Sequence, residues 1–501
     1  MKTNSLDFDA QALREKILDL AMRGKLVKQD PNDEPASVLL EKIKADTTNK
    51  LSAKKTKKIK IESHSGEENL KYKIPDNWTW TKIGYLIYKL SDGAHKTPRY
   101  TSTGVPFLSV KDMSRGQIDF GNCKYISEED HEILYKRCDP KKGDILLSKV
   151  GTTGVPALVD TEKKFDLFVS VALLKFNHNY IDPLYLKYLI ESSIVQIQAK
   201  RNTRGVGNKN WVLRDIAGTV VPLPPLSEQS RIAAKIAQLF ALLRKVESST
   251  QQYAKLQTLL KSKVLDLAMR GKLVKQDPHD EPASLLLEKI KAEKEQLVKE
   301  GKIKKSKPLP PITDDEKIFN LPQGWTWVKL NDVLALENGA IRRGPFGSSL
   351  KKSFFVPKSE DTYKVYEQGN AINHTIKYGS YYISSQKYEE LQSFSIRPGD
   401  IIISGAGTIG KAYILPSNSP KGVINQALIR VRLNEQLISK EYFLFAFKQK
   451  VGLINKQAKG TAIKNMFSVT HMKNDLVWAL PPLAEQKRIT KKIQNILSFV
   501  K

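Results

Sequence analysis

A glycine-rich stretch near residue 405 is the closest match to a catalytic motif in this 501-residue chain. Gly405-Ala-Gly-Thr-Ile-Gly410-Lys411 follows a predicted strand and satisfies the first seven positions of a phosphate-binding P-loop. A P-loop then needs Ser or Thr for magnesium, and a helix whose N-terminus holds the phosphates. Here Ala412 follows, and residues 412–415 have the pattern of a strand. We therefore expect a hairpin turn here, and the missing helix equally excludes a dinucleotide-binding fingerprint.

Other residue types used in catalysis lack the spacing that catalysis needs. The sequence has no Asp/Asn-Pro-Pro-aromatic motif of amino-methyltransferases, no helicase motif, no nuclease carboxylate cluster and no HExxH. Cys123 and Cys138 lie in the first half only, which argues against a disulfide framework or a zinc site and fits a reducing cytoplasm. With no apolar run of about 18 residues and no signal peptide, we expect a cytoplasmic chain that binds no metal.

The net charge predicts a polyanionic partner. Lys and Arg exceed Asp and Glu by 82 − 53 = 29, and this excess is not confined to a tail. Nucleic acid is the expected partner, in preference to a generally basic, solvated surface.

Loops rich in Lys, Arg, Asn and Thr beside glycines are the candidate DNA readers. Arg can read guanine and Asn adenine, whereas Lys mostly holds phosphate. In the first half the candidates are His95, Lys96, Thr97, Arg99, Lys149, Thr152, Thr153, Arg201, Arg204, Asn208, Lys209 and Asn210. In the second half they are Arg342, Arg343, Ser348, Lys351, Lys352, Lys411, Lys459, Lys464 and Asn465. His95 taken alone is more typical of a polar surface residue than of a ligand.

An internal repeat positions these loops twice. Residues 17–46 recur at 264–293 with 26 of 30 positions identical. Gly24 and Gly271 are predicted to end a helix as C-caps, and a second helix is predicted to start at Ala36. Such near identity within one chain indicates that both copies bind identical partner surfaces.

A long helix is predicted from about Ser227 to Gly271. Apolar residues recur every seven positions from Ile232 to Leu267. A second row from Ile236 to Val264 follows the same spacing, with polar Thr250 and Gln257 at its two central positions, which gives the a/d pattern of a two-helix seam. About 44 residues would give a rod of roughly 65 Å.

The chain ends match the two halves of this rod. Ile489, Ile493 and Ile496 lie 257 residues after Ile232, Ile236 and Leu239. Likewise Leu13, Ile17 and Leu20 lie 247 residues before Leu260, Val264 and Leu267. We infer a circularly repeated chain in which an antiparallel pair of rods relates two like halves by a pseudo-two-fold axis.

These patterns divide the chain into alternating conserved and variable segments. Each variable segment opens on Pro-x-x-Trp-Thr-Trp, has a Gly-Asp-strand-glycine turn and closes on Pro-Pro-Leu, so we expect an α/β domain with a mixed sheet. Single strands are predicted over 167–176 and 422–433, and a helix over 183–200. The predicted boundaries are 1–46 for an N-terminal conserved region, 47–69 for a basic linker, 70–225 for the first variable domain, 226–293 for a central conserved region, 294–317 for a second basic linker, 318–481 for the second variable domain and 482–501 for a C-terminal conserved helix.

The sequence resembles the specificity subunits of type I restriction–modification enzymes. The resemblance rests on the two Leu-Pro-Pro-Leu-x-Glu-Gln-x-Arg-Ile junctions, 223–232 and 480–489, on the Gly-Asp-strand stretches and on the paired Trp motifs. It covers nearly the whole chain. It implies an α/β fold with two target recognition domains, separated by two long antiparallel coiled-coil-like helices.

The resemblance also implies function and partners. Each variable domain would read one half of a split, asymmetric double-stranded DNA site, and the rods would fix the spacer. Two methyltransferase subunits and, through them, two motor–nuclease subunits would join the chain. The chain itself would be non-catalytic, with S-adenosylmethionine, ATP and Mg²⁺ on the partners. The implied methyltransferase contacts are Glu228, Gln229, Arg231, Glu485, Gln486, Arg488, Arg23, Lys25, Arg270 and Lys272.

An alternative of another class is a stand-alone two-domain DNA-binding or architectural protein without enzyme partners. Co-purification with a methyltransferase would separate the two. Neither interpretation predicts the DNA target or the spacer length.

Overall fold

The chain folds into two compact units, Met1–Gln251 (unit 1) and Gln252–Lys501 (unit 2). The structure, a computed structural model, describes residues 8–54, 59, 61, 72–113, 116–205, 209–305, 308–406, 408–457 and 468–500. No helix among these residues is long and apolar enough to cross a membrane.

Unit 1 contains helices and short strands in mixed order. Its helices are α1 Ala10–Met22, α2 Ala36–Lys54, α3 Ile83–Leu86, α4 Glu128–Tyr135, α5 Pro183–Glu191, α6 Ser193–Asn202, α7 Leu213–Gly218 and the first part of α8 Leu226–Met269. Its strands are β1 Thr79–Lys82, β2 Lys89–Asp92, β3 Val105–Leu108, β4 Lys124–Ile126, β5 Ile145–Ser148, β6 Pro156–Leu158, β7 Asp166–Leu167, β8 Val171–Lys175 and β9 Val220–Leu223.

Unit 2 follows the same plan. Its helices are the rest of α8, α9 Ala283–Lys299, α10 Gln368–Ile372, α11 Ser385–Glu390, α12 Lys440–Gln457, α13 Val469–Asp475 and α14 Leu483–Ser498. Its strands are β10 Thr326–Lys329, β11 Ile341–Arg343, β12 Thr362–Tyr366, β13 Tyr382–Ser384, β14 Ser395–Ile396, β15 Ile401–Ser404, β16 Ala412–Ile414, β17 Gly422–Ile424, β18 Leu428–Val431 and β19 Val477–Leu480.

The sheets of the two units correspond. A four-stranded antiparallel sheet has the order β2-β8-β5-β6 in unit 1 and β11-β18-β15-β16 in unit 2. A second sheet contains one parallel pair in each unit, β3 with β7 and β12 with β17. A two-stranded ribbon, β1 with β9 or β10 with β19, adjoins the long helices. The expected α/β class with mixed sheets is confirmed.

The predicted single strands are each split in two. The stretch 167–176 forms the end of β7 and then β8, which belong to different sheets. Val171 N donates to Phe168 O at 3.0 Å, so a turn divides the stretch and lets one apolar run serve both sheets. Likewise, the helix predicted over 183–200 is broken at Ser192, whose backbone is extended.

The conserved helices pack in matching ways within each unit. Leu18, Ala21 and Met22 of α1 share a core with Ile232 and Ile236 of α8 in unit 1. In unit 2, Val264 and Ala268 at the end of α8 share a core with Ile489 and Ile493 of α14. The residue correspondence predicted between the chain ends and the central helix is therefore reproduced in the packing of each unit.

The 44-residue helix α8 is buried at its ends and exposed in its middle. Val246 is 43% exposed in unit 1, and Tyr253 and Leu260 are 51% and 43% exposed in unit 2. These three residues belong to the predicted seam, so the described structure buries that seam only near the ends of α8.

Both predicted helix-ending glycines adopt left-handed backbone, with φ of +66° at Gly24 and +67° at Gly271. Lys25 N donates to Leu20 O, and Lys272 N to Leu267 O, as in a Schellman C-cap. The next helices, α2 and α9, run to Lys54 and Lys299, so the first residues of both predicted linkers are helical.

Candidate functional site

The glycine-rich stretch 405–411 joins two antiparallel strands, β15 and β16. Gly410 N donates to Ser404 O at 2.8 Å, and Lys411 N donates to Ser404 Oγ at 2.9 Å. Strand β16 lies where a P-loop needs a helix, so the predicted hairpin turn is confirmed. The corresponding turn of unit 1 is built alike, because Val155 N donates to Ser148 Oγ at 2.8 Å.

Three predicted DNA-reading loops of unit 1 lie together. The turn 149–153 contacts the loop 200–210 through Gly151 N and Lys209 O at 2.8 Å, and through the hydroxyls of Thr153 and Thr203 at 3.1 Å. The same turn contacts Asp92 at the end of β2, where Lys149 Nζ lies 3.1 Å from Asp92 Oδ2. Asp92 Oδ1 in turn lies 3.1 Å from Nε2 of His95 in the loop 94–99. Loops that are far apart in sequence thus form one surface.

Lys149 itself belongs to the interior of this arrangement. Its side chain is 6% exposed, and Nζ donates to Asp92 and to the carbonyl oxygen of Val169. This burial and pairing disfavour a DNA phosphate as a further partner, and contact of Lys149 with DNA stays a prediction. Its physical role is to neutralise the buried Asp92 carboxylate.

Arg137 is a candidate DNA contact that the sequence pattern did not reveal. Its guanidinium lies 2.7 Å from Asp92 Oδ1 and 3.0 Å from His95 Nε2, and its side chain is 57% exposed. The neighbouring cations lower the pKa of the Asp92 carboxyl against the effect of its burial, which on its own would raise it. No local motif marks Arg137, because the contact joins residues 45 positions apart.

Unit 2 also has a cation in this region, but it lies at the end of β11, whereas Lys149 of unit 1 follows β5. Arg343, at the end of β11, donates to Gln426 O at 3.0 Å and to Gly405 O at 3.1 Å. In unit 1 the end of the matching strand β2 is Asp92, and the position of Gly405 is taken by Lys149. Arg343 is therefore half-buried and bonded to its own unit, and Arg342 is also half-buried, 5.4 Å from the Phe394 ring.

The remaining predicted DNA contacts are mostly on the surface. Exposed among them are His95, Lys96, Thr97, Arg99, Thr152, Arg201, Arg204, Lys209, Ser348, Lys351, Lys352 and Lys411. Thr153 and Asn210 are half-buried. Asn208, Lys459, Lys464 and Asn465 lie outside the described residues. Contact with DNA stays a prediction for all of these residues.

The Glu-Gln pairs at the two junctions, which were predicted as methyltransferase contacts, are buried. Glu228 accepts from Trp78 Nε1 at 2.8 Å and Gln29 Nε2 at 2.6 Å, and Glu485 accepts from Trp325 at 2.9 Å and Gln276 at 3.0 Å. Burial raises the pKa of both carboxyls.

The neighbouring glutamines are equally enclosed. Gln229 bonds Pro224 O and Asp182 N, and Gln486 bonds Pro481 O and Ser439 N. All four side chains bond to their own unit and fasten α8 and α14 to the variable domains. Their burial disfavours contact with a methyltransferase subunit, which stays a prediction.

The other predicted partner contacts reach the surface in matched pairs. Arg231 binds Asp33 and Arg488 binds Asp280, each at 2.6 Å, with side chains 36% and 37% exposed. Arg23 lies 4.3 Å from the Tyr72 ring, and Arg270 lies 5.1 Å from the Phe319 ring. Lys25 and Lys272 are exposed. Contact of these six with a partner stays a prediction.

The chain has two units with corresponding mixed sheets and corresponding helices, and both expose cationic loops. This organisation is that of a modular binding protein. The sequence model of the "Type I restriction modification DNA specificity domain" matches the chain twice, at residues 75–257 and 322–500. The chain belongs to this family, the specificity subunits of type I restriction–modification systems.

Two relatives from Escherichia coli match almost the whole chain. The type I restriction enzyme EcoAI specificity subunit is 28% identical, over 98% of this chain and 89% of that protein. The EcoEI specificity subunit is 29% identical, over 97% of this chain and 89% of that protein.

A solved structure shares the fold. A chain from a study of complex assembly and conformational transition of the type I restriction–modification system aligns with a TM-score of 0.50 and 18% identity. The alignment covers 86% of this chain and 92% of that one.

Proposed function

We propose that this chain is the DNA-binding specificity subunit of a type I restriction–modification complex and reads a split, asymmetric site with one variable domain per half-site. The observation that carries this proposal is the contrast between a matched frame and divergent loops. The frame contacts of Glu228, Arg231 and Trp78 recur at Glu485, Arg488 and Trp325, whereas Asp92 and Lys149 have Arg343 and Gly405 as counterparts.

This contrast has a physical reason under the proposal. Base edges are read by side chains and backbone on loops, so two different half-sites require two different loop sets. The positive charge of +29 favours the phosphate backbone independently of sequence. Linking two readers raises the effective concentration of the second, but only for half-sites at the spacing that the linkage allows.

The repeated block is proposed to bind two copies of one methyltransferase subunit, through which two motor–nuclease subunits join. Identical partners need identical surfaces, and the two copies expose matched residues. Val38 and Leu285 are 45% and 49% exposed, and Lys25 and Lys272 are exposed beside the helix ends. Exposed apolar side chains at matched positions favour a protein partner.

The chemistry is proposed to reside on these partners, in the cytoplasm. S-adenosylmethionine would bind the methyltransferase subunits, and ATP and Mg²⁺ the motor–nuclease subunits, while this chain binds none of them. Its own contribution is recognition: phosphate contacts set the register, and base contacts select the site.

Genome-wide mapping of methylated adenine, with and without this chain, tests the proposal. We expect methylation at a motif of two short half-sites separated by a fixed spacer, lost when the chain is deleted. An unchanged methylation pattern would contradict it.

Purification of the chain without a methyltransferase from its own host would instead favour the stand-alone DNA-binding protein.

A further inference from the structure

Unit 2 contains a cavity of about 370 Å³ that the proposed function does not use. It is bounded by α9, by the connecting residues 303–305 and 309, by residues 331–341 and by α13. The volume lies in the range of small-molecule sites, about 300–1,000 Å³.

The cavity collects positive charge that its own unit does not neutralise. Five lysines line it: Lys291, Lys294, Lys304, Lys305 and Lys473. Within the described residues, none of the five forms an ion pair. Burial, together with the charge of Lys294, lowers the pKa of Lys473. Lys294 and Lys473 are half-buried, and Lys291, Lys304 and Lys305 are exposed at the cavity. The repulsion between the two half-buried lysines would be relieved by a bound anion.

The two acidic residues of the lining are already bonded elsewhere. Glu337 binds Arg397 at 3.0 Å and Arg432 at 2.8 Å. Asp332 accepts the backbone N–H of Lys329 at 2.8 Å. Asp332 keeps its negative charge, but the five lysines outnumber it, so the lining has a net positive charge. Ile290, Leu334 and Ile341 supply an apolar part of the wall.

Unit 1 provides an internal comparison, because the positions that match Lys473, Asn474 and Asn331 are buried or closely packed there. Lys473 and Asn474 of α13 correspond to Ile216 and Ala217 of α7, both fully buried. Asn331 corresponds to Gly84, where an added Cβ would lie 2.8 Å from the Ile61 side chain. A cavity of about 260 Å³ in unit 1 is lined by Lys44, the counterpart of Lys291, and by Tyr85, the counterpart of Asp332, but not by Ile216 or Ala217. The part of the unit 2 cavity that Lys473 and Asn474 line is therefore a feature of unit 2.

We propose that this cavity binds a small phosphorylated molecule with at least two negative charges, of about mononucleotide size. Lys ammonium groups hold phosphate as point charges, and the apolar wall accepts the uncharged part of such a ligand. Duplex DNA fits less well than a small ligand. Its major groove alone is about 12 Å wide, so the duplex is too wide to enter a recess of this volume.

Binding of pyrophosphate and of adenosine 5′-monophosphate to the full chain, measured by calorimetry at constant ionic strength, tests the proposal. We expect saturable binding of at least one of the two and a matching rise in melting temperature. The double substitution K294Q/K473Q should weaken binding at least about tenfold, since it removes two charge-assisted contacts. K473I/N474A, which installs the unit 1 residues, should abolish binding while preserving the fold.

The matched control is K289Q/K387Q, which removes two lysine charges already paired with Glu281 and Glu390. It should bind like the natural chain. The proposal is overturned if neither probe binds, if sulfate at equal ionic strength has the same effect, or if all variants bind equally. It is also overturned if K294Q/K473Q weakens DNA binding as much as pyrophosphate binding, because the lysines would then hold DNA.

Discussion

At the scale of single residues, Asp166 is the group whose ionisation bears most directly on stability. Its Oδ2 lies 2.6 Å from His131 Nδ1, and its side chain is 1% exposed. Burial raises the pKa of Asp166 to about 6, although His131 acts to lower it. Oδ1 of the same carboxyl has no hydrogen-bond partner within the described residues.

Asp166→Asn should therefore remove a pH-dependent loss of stability. The unfolded carboxyl has a pKa of about 3.9, so the folded state binds the extra proton between pH about 4 and 6. The stabilisation from this proton is complete below about pH 4 and is lost as pH rises through about 6. We expect the variant to be more stable than the natural chain at pH 7 by about 2–3 kcal/mol, and similar near pH 4. Urea unfolding at both pH values checks this, and an equal difference at both would contradict it.

Residue-scale function was only partly predictable from sequence. The hairpin at Gly405 was predictable, because the residues after Lys411 have strand pattern and lack the Ser or Thr of a P-loop. The burial of Lys149 and the position of Arg137 were not, because both depend on Asp92, which lies 57 and 45 positions away. Composition identified the loops, while tertiary contacts decided which cations face outward.

At the scale of elements, the helix ends depend on close contacts with the variable domains. A Cβ at Gly271 would lie 2.3 Å from Pro322 Cγ and 3.1 Å from Trp325. Gly24 meets Pro75 at the same distance of 2.3 Å in unit 1. The junction thus requires glycine both for its left-handed backbone and for space.

Gly271→Ala should destabilise unit 2 more than Gly301→Ala does. Both glycines have similar φ, +67° and +69°, but nothing lies within 4 Å of a Cβ at Gly301. Both variants pay the left-handed backbone cost of about 1–2 kcal/mol, and Gly271→Ala adds an overpacking cost of about 1–3 kcal/mol. Thermal unfolding of the two variants measures the difference, and equal losses would show that the contact with Pro322 is unimportant.

Element order was largely predictable, and element limits were not. The near-identical repeat and the Pro-Pro-Leu junctions gave the order and the residue correspondence. The heptad pattern did not reveal that the Glu-Gln pair is buried, because its partners Gln29 and Trp78 lie 199 and 150 residues earlier. The split of 167–176 between two sheets depended on a turn with no glycine or proline to mark it.

The length of α8 carries a prediction for DNA spacing under the proposed function. Four residues inserted between Ser248 and Gln251 add about 6 Å of helix, close to two base-pair steps. We expect the preferred spacer to lengthen while both half-sites stay the same. Selection of bound sites from random DNA measures the spacer, and an unchanged preference would contradict a ruler role for the helix.

At the scale of the whole molecule, the account depends on independence of the two variable domains. Each unit has its own core and its own sheets. The repeat predicted this modularity from sequence. The target of each domain did not follow, because base preference depends on loop conformation that composition does not determine.

Exchange of residues 70–225 for the variable domain of another family member tests this central claim most directly. The methylated motif of the host is mapped before and after the exchange. We predict that one half-site changes to that of the donor domain while the other half-site is retained. A motif in which both half-sites change, or neither does, would contradict recognition by one domain per half-site.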